Sequence, residues 1–336
     1  MNNTMPLTLA STTVGSSDDG RDVRTASITV TFNPDPDRLA KQVCALLAQT
    51  TQIFIVDNGS TSNVENVLTR PEFSSNADLA SRITFIELQQ NQGIATAFNA
   101  GAEAAIGVGA EFVLLLDQDS IPANDMIAKL VAGFRRATIA LAASSMGTVA
   151  AVGPRITDAR SKSEFPFITF GWLSNKHNRC KSHDGKLIAT DFLISSGALL
   201  SIAAFKNIGR FDDALFIDNV DLEWCCRARS RGFSLYGVCD AELNHQLGHQ
   251  RRIFFSLINH VVHSPSRVYY QTRNRLLLYR RGYMPLKWKL KDILRLFAKF
   301  STTILFIAPR LEYMRMTILG IRDGLANRGG KMRTER

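Results

Sequence analysis

The 336 residues include 40 Lys+Arg against 30 Asp+Glu, a formal charge of +10, with 45% hydrophobic and 21% charged residues. That balance excludes a wholly disordered chain, and the length allows one large domain or two ordinary ones. Five cysteines, an odd number without regular spacing, argue against a disulfide framework and point to a reducing compartment.

Residues 1–25 are rich in Ser, Thr, Asp and Gly, lack an apolar core stretch and read as a disordered leader. Short apolar runs at 28–32, 53–56, 83–88 and 112–116 predict buried strands. Between them, 37–49 has apolar residues at Leu39, Val43, Leu46 and Leu47, and 93–106 is Ala-rich, so both predict helices. This alternation predicts an α/β fold, a mostly parallel sheet with helices on both faces. Sheets of that kind bind ligands beyond the carboxyl ends of their strands. There the chain places Asn33-Pro34-Asp35-Pro36, Asp57-Asn58-Gly59-Ser60, Gln90-Asn91-Gln92-Gly93 and Asp117-Gln118-Asp119. Any one of these could be only a turn; four in succession predict a site.

Asp117 and Asp119 leave a buried strand two residues apart, and a turn lets both carboxylates converge. Hard oxygen donors without neighbouring Cys or His suit Mg²⁺ or Mn²⁺, which bring a substrate diphosphate with them. Asp57 can accept a hydrogen bond from a pyrimidine N–H or a ribose hydroxyl, with Gly59 allowing close backbone approach. His177-x-x-Cys180-x-x-His183 lacks a fourth ligand and is not taken as a zinc site. Adjacent Cys225 and Cys226 read as small packing residues.

Val30-Thr31-Phe32-Asn33-Pro34, Val56-Asp57-Asn58-Gly59-Ser60, the stretch Asn91-Gln92-Gly93-Ile94-Ala95-Thr96-Ala97-Phe98-Asn99, and Leu116-Asp117-Gln118-Asp119 together resemble the motif series of the family 2 inverting glycosyltransferases with the GT-A fold. Ser195-Ser196-Gly197-Ala198, Phe216-Ile217-Asp218-Asn219-Val220-Asp221-Leu222-Glu223-Trp224 and His245 resemble its rhamnosyltransferase branch. The resemblance implies a catalytic domain over 26–250, with a donor half to about 157 and an acceptor half from 158, followed by a basic helical extension over 251–336. It implies nucleotide-sugar contacts from Asn33, Asp57, Asn58, Gly59, Asn91, Gly93, Asn99 and Asp117. It also implies a Mg²⁺ or Mn²⁺ site of Asp117, Asp119 and His245, and acceptor contacts from Ser196, Gly197 and Trp224. The implied donor is dTDP-L-rhamnose, and the implied acceptor is a glycan or lipid-linked saccharide of a cell-surface polysaccharide.

The family's base lies in a Glu-Asp pair opening a helix. Here the pair is Asp218-Asn219, whose second member is an amide, so Asp218 is the expected base and Asp221 the alternative. The same charges could simply cap and polarise a helix. Leu114-Leu115-Leu116-Asp117-Gln118-Asp119 also resembles the nucleophile strand of the haloacid dehalogenases, with Asp212-Asp213 as a late acidic pair; that family opens with this strand, whereas three α/β units precede it here.

The charge is uneven. Residues 251–336 hold 19 Lys/Arg and 4 Asp/Glu, net +15, and the rest holds 21 and 26, net −5. From 285 to 308 Lys287, Lys289, Lys291, Arg295 and Lys299 interleave with Leu290, Ile293, Leu294 and Phe297. This predicts a basic amphipathic helix suited to an anionic membrane surface rather than to nucleic acid. A module that only bound membrane or nucleic acid would need this segment alone. No apolar run is long enough to span a bilayer, so the expected place is the cytosol, peripheral to the inner membrane.

Overall fold

Strand β1 (Thr25–Thr31) is buried at every residue although four of its seven are Ser or Thr. The computed structural model describes residues 23–144, 147–158, 163–181, 185–245, 264–306 and 308–333, so the first 22 residues of the expected leader lie outside the described residues. After β1 come α1 (Pro36–Leu47), β2 (Gln52–Asp57), the short helices α2 (Pro71–Ser74) and α3 (Ala77–Ser81), β3 (Ile83–Glu87), α4 (Ile94–Gly107), β4 (Phe112–Asp117) and β5 (Ile121–Pro122). There follow α5 (Met126–Ser144), β6 (Thr148–Asp158), β7 (Phe167–Thr169), β8 (Lys176–Asn178), β9 (Leu187–Thr190), β10 (Leu199–Ser201), α6 (Ile202–Ile208), α7 (Val220–Ser230) and β11 (Phe233–His245). Helices α8 (Pro265–Tyr279), α9 (Leu286–Phe306) and α10 (Arg310–Leu325) complete the order.

The principal sheet runs β3-β2-β1-β4-β10-β6-β11-β5, with β9 also paired to β11. Strands β1 to β4 are mutually parallel, as expected. Beyond them β10 is antiparallel to both β4 and β6, while β11 is parallel to β6, so this side of the sheet is mixed. Strand order reverses at β1, from which the chain first builds outward through β2 and β3 and then returns to β4. The crevice outside the carboxyl ends of β1 and β4 is therefore the topological switch point where such sheets take ligands.

Helices cover both faces. One apolar cluster joins α4, α6 and α7 to the sheet, and the other joins α1 and α5 to it. Helix α1 starts where Asp35 accepts from the Asp37 and Arg38 amides at 3.0 and 2.9 Å, with Pro36 preset for the first turn. Most of its apolar face is Leu39, Val43, Leu46 and Leu47, but Gln42 is buried among them.

One expectation from composition is corrected here: Cys180 and Cys239 form a disulfide. Pairing of β9 with β11 brings the segment before β9 against Cys239, whose amide donates to the Lys186 carbonyl at 3.0 Å. A separation of 59 residues leaves no local trace of that pairing. Cys225 and Cys226 are buried packing residues on α7, as expected.

The basic C-terminal segment is built into the body by α8. Tyr269 and Tyr270 pack with Phe216, and the side chain of Arg273 is fully buried. Helices α9 and α10 instead leave Leu286, Leu290, Ile293, Leu294, Phe297, Leu311, Ile318 and Leu325 exposed. Among the described residues, no helix is long and apolar enough to cross a membrane.

Candidate active site

Parallel pairing sets Thr31 beside Asp57, and Val30 beside Asp117, at one edge of the sheet. The Asp57 carboxylate is almost fully buried and accepts from Thr31 Oγ1 at 2.9 Å, from the Ser60 amide at 2.9 Å, and from Ser60 Oγ. A carboxylate offers about four acceptor positions, so it can take one donor more. Asn33, with φ of 49°, ties the β1 loop to the β2 loop: its Oδ1 accepts from Thr61 N and Thr61 Oγ1 at 2.8 and 2.9 Å. Asn58 joins the β2 loop to the β3 loop, accepting from Gln92 N at 2.9 Å and donating to Asn91 Oδ1 at 3.3 Å. Gly59 has φ of +79°, and a Cβ there would stand 2.5 Å from the Gln90 carbonyl carbon, so only glycine lets these loops meet. A crevice of about 440 Å³, lined by Glu87, Leu88, Gln89, Gln90 and Gln92, opens alongside.

Two of the residues expected to contact the donor also have packing roles within the chain. At Gly93 a Cβ would lie 2.5 Å from the Phe216 carbonyl oxygen, which instead accepts from the Ile94 amide at 2.7 Å. The first turn of α4 is therefore closed by the chain's own backbone. Asn99 is fully buried and its whole amide is used: Nδ2 donates to Phe211 O and Asp213 Oδ1 at 2.9 and 2.8 Å, and Oδ1 accepts from Phe211 N at 2.9 Å. It fastens α4 to residues 211–213. The same network removes Asp212-Asp213 as partners for Asp117, because Asp213 serves Asn99 and Asp212 caps a 3₁₀ turn and pairs with Arg281.

The Asp117-Gln118-Asp119 turn is fixed by residues that the sequence reading passed over. Gln42 Nε2 donates to the carbonyls of Asp117, at 2.7 Å, and Ser120, while its Oε1 accepts from Thr29 Oγ1 at 3.0 Å. Gln118 Oε1 accepts from the Phe32 amide at 2.7 Å. One signal could have revealed Gln42: it lies on the buried stripe of α1, three residues after Leu39 and four before Leu46. Asn244 of β11 pairs with Ile121, so the backbone brings His245 to the edge where Asp119 emerges; the His245 side chain lies outside the described residues.

On the opposite wall, residues 216–219 turn sharply, with Phe216, Asp218 and Asn219 all at φ of 61–65°. Such strain persists only where surroundings hold it. Here Arg273 Nη2 donates to the carbonyls of Ala214 and Leu215 at 3.0 Å each. Asn274 Nδ2 reaches the carbonyls of Leu215, Ile217 and Asp218 at 2.7–2.8 Å. Helix α7 starts after Asn219, which makes no side-chain cap.

The Ser195-Ser196 turn joins two carboxylates from different elements. Asp221 Oδ2 accepts from the Ser195 amide at 3.3 Å, and the next residue's hydroxyl donates to Asp117 Oδ2. Burial pushes the Asp221 carboxyl up to about 6, reinforced by repulsion from Asp218 and Asp117 and opposed by the Leu222 and Ser195 amides. Asp218, in contrast, is ion-paired with Arg267 of α8. Two of the residues expected on the acceptor wall pack into the body. Trp224 is 2% exposed, packs against Phe205 and Phe211, and donates from Nε1 to Gly209 O at 3.0 Å, so it is core. The space that Gly197 leaves is filled by Pro154 and Leu243, at 2.7 and 2.8 Å from the position of a Cβ. Ser196, with its hydroxyl on Asp117, stays at the site.

The family model of glycosyl transferase family 2 matches residues 27–199, which span β1 to β10. The chain belongs to glycosyl transferase family 2. This glycosyltransferase is 29% identical over 304 residues to the dTDP-rhamnosyl transferase RfbF of Shigella flexneri, covering 89% of the present chain and 94% of that one. Among solved structures it resembles residues 1–349 of S. aureus TarS in complex with UDP-GlcNAc, with a TM-score of 0.56 at 14% identity over 90% of this chain and 80% of that one. It also resembles GalNAc-T7 with UDP, GalNAc and Mn²⁺, with a TM-score of 0.53 at 14% identity over 83% of this chain and 58% of that one. These structural likenesses show the GT-A fold. In this family 2 enzyme, then, Asp57 and Asp117 end strands that flank β1, and the Ser195-Ser196 turn links Asp117 to Asp221 of α7.

Proposed function

We propose that the enzyme transfers L-rhamnose from dTDP-L-rhamnose, with inversion, to a glycan or lipid-linked saccharide acceptor of a bacterial cell-surface polysaccharide. The name of the RfbF relative supports the donor, and its near-complete coverage supports carrying that reading across the whole chain. The observation that carries the chemistry is the turn at Ser195-Ser196, which seats one elevated carboxyl on α7 beside the Asp117 end of β4.

In this reading Asp57 uses its remaining acceptor position for the thymine N–H or a ribose hydroxyl. Asp117 and Asp119 would hold Mg²⁺ or Mn²⁺; two carboxylates at a strand end fit such an ion, which takes one or two protein carboxylates and completes its shell with substrate phosphates and water. When bound, that ion neutralises charge on the leaving diphosphate. Asp221 replaces Asp218 as the base. A carboxyl near 6 is mostly ionised at neutral pH yet basic enough to take the acceptor hydroxyl's proton as the oxygen attacks the anomeric carbon and the sugar–phosphate bond breaks. Asp218 has both carboxylate oxygens occupied by the Arg267 guanidinium.

The apolar face of α9 and α10 supports peripheral attachment to anionic lipid on the cytosolic side of the inner membrane. Lys287, Lys289, Lys291 and Arg295 flank it, each contributing about 1 kcal/mol at an anionic surface. Lys291 Nζ donates to Gly171 O and Asn175 Oδ1, which brings the exposed tip of Trp172 and Leu173 alongside α9.

The test is a thermal-shift panel of nucleoside diphosphates with and without Mn²⁺, followed by transfer assays with dTDP-L-rhamnose. Selective stabilisation by dTDP, and loss of metal-dependent transfer in Asp117→Ala and Asp119→Ala, are expected. Selectivity for another nucleotide refutes the rhamnose donor.

A further inference from the structure

The pair between Asp218 and Arg267 has a role if the crevice takes a nucleotide-sugar, the reading on which this inference rests. Arg267 Nε donates to both Asp218 oxygens, at 3.2 and 3.0 Å, and Nη2 donates to Oδ1 at 2.9 Å. This fork uses Nε and Nη2, and Nη1 lies outside it. The Arg267 side chain is 46% exposed against 14% for Asp218, so the cation forms the outer, accessible member of the pair.

Both partners are held by one frame. Arg267 sits in the first turn of α8, where the Ser264 hydroxyl accepts from its amide at 3.3 Å. Two turns further on, Asn274 of the same helix fixes the Asp218 carbonyl at 2.8 Å. The guanidinium is thus preset without contact to any ligand. Asp218, which it holds, precedes Asp221 by three residues, and the Ser195-Ser196 turn joins Asp221 to Asp117 of β4, so a short bonded chain links Arg267 to the end of β4. The Asp117 carboxylate also supports its charge.

The crevice otherwise gathers carboxylates, while its substrate class bears a diphosphate whose negative charge grows as the sugar leaves. One divalent cation balances only part of that charge. A guanidinium held in place beforehand gives hydrogen bonds that strengthen as charge develops, without reorganisation at the moment of reaction. A helix-anchoring ion pair would need no such half-exposed guanidinium.

We propose that Arg267 is a ligand of the donor diphosphate. Asp218 keeps the guanidinium charged and oriented in the unliganded enzyme, and on donor binding the guanidinium donates to a phosphate oxygen of the departing group. Asp218 is then a positioning residue, and this basic C-terminal segment supplies a side chain to the active centre.

The experiment is titration calorimetry of the full chain in Mn²⁺ with dTDP, UDP and the corresponding monophosphates, on wild type, Arg267→Ala, Arg267→Lys and Asp218→Asn. Arg267→Ala should weaken diphosphate binding by about 10- to 100-fold and monophosphate binding by less than about 3-fold. Arg267→Lys should recover part of the loss, and kcat for transfer should fall in the same order. A lowered melting temperature with an unchanged ratio of diphosphate to monophosphate affinity overturns the proposal and makes the pair a structural tie. A wild-type protein that binds none of the four nucleotides overturns the donor reading, and the inference with it.

Discussion

Replacing Asp221 with Asn should make the protein more stable while removing its turnover. The carboxyl rises from 3.8 to about 6 in the folded chain. At 1.36 kcal/mol per pH unit this is about 3 kcal/mol, an upper bound because the side chain keeps some exposure to the crevice. The sign follows from proton binding. The folded state holds this proton more tightly than the unfolded state, so the group costs nothing below about pH 4, costs progressively more through pH 4–6, and costs its full amount above. An amide keeps the shape and one acceptor oxygen but must give up one of the two amide contacts, which offsets about 1 kcal/mol. The net gain at pH 7 is about 2 kcal/mol, or about 3 °C in a chain of this size, and it should vanish near pH 4. Thermal melts of both proteins in EDTA at pH 4 and pH 7 measure it. Transfer should fall about 10²- to 10⁴-fold in the same variant, and wild-type activity should decline below about pH 6. A variant no more stable than wild type at pH 7, or equally stabilised at both pH values, refutes the account of Asp221.

Trp224→Phe should cost stability without changing the acceptor KM, since the indole packs on Phe205 and Phe211; truncation to Ala should cost about 3–5 kcal/mol, read by urea titration. Leu294→Glu with Phe297→Glu should abolish sedimentation with phosphatidylglycerol vesicles and leave nucleotide binding intact; retained sedimentation would place lipid contact elsewhere. Reducing Cys180–Cys239 should lower stability by about 4 kcal/mol, from the loop entropy of a 59-residue separation, in a denaturation series with and without reductant.

The donor half was readable because its rules are local. Four apolar runs end in Asn, Asp and Gly, and period alone says where side chains leave a parallel sheet. Asn99 ties α4 to residues 211–213, and nothing in the sequence pattern tells such an amide from one that meets a ligand. Arg273 falls within the basic 251–336 segment, yet burial against three backbone carbonyls gives its charge partners that no charge count can show. Trp224 differs again: an aromatic at the start of a catalytic helix faces core or crevice according to the helix's rotation, which is fixed by Gly209 and Phe211 far back in the chain. The two candidate bases are alike in sequence for a similar reason, since the burial of Asp221 and the position of Arg267, 49 residues beyond Asp218, are what distinguish the two carboxylates.

Arg273 also sets an order of events during synthesis. It bonds at once to the acceptor-side loop and to Gly330, whose own amide donates to Ala214 O at 2.7 Å, and Met332 N donates to Tyr270 Oη at 2.9 Å. The nucleotide-side sheet can therefore fold on the ribosome while the strained turn at residues 216–219 still lacks its clamp. The enzyme acquires a place to recognise its donor before it acquires the geometry to use it. A released chain ending near residue 260 should bind nucleoside monophosphate, bind the diphosphate more weakly for want of Arg267, and transfer nothing.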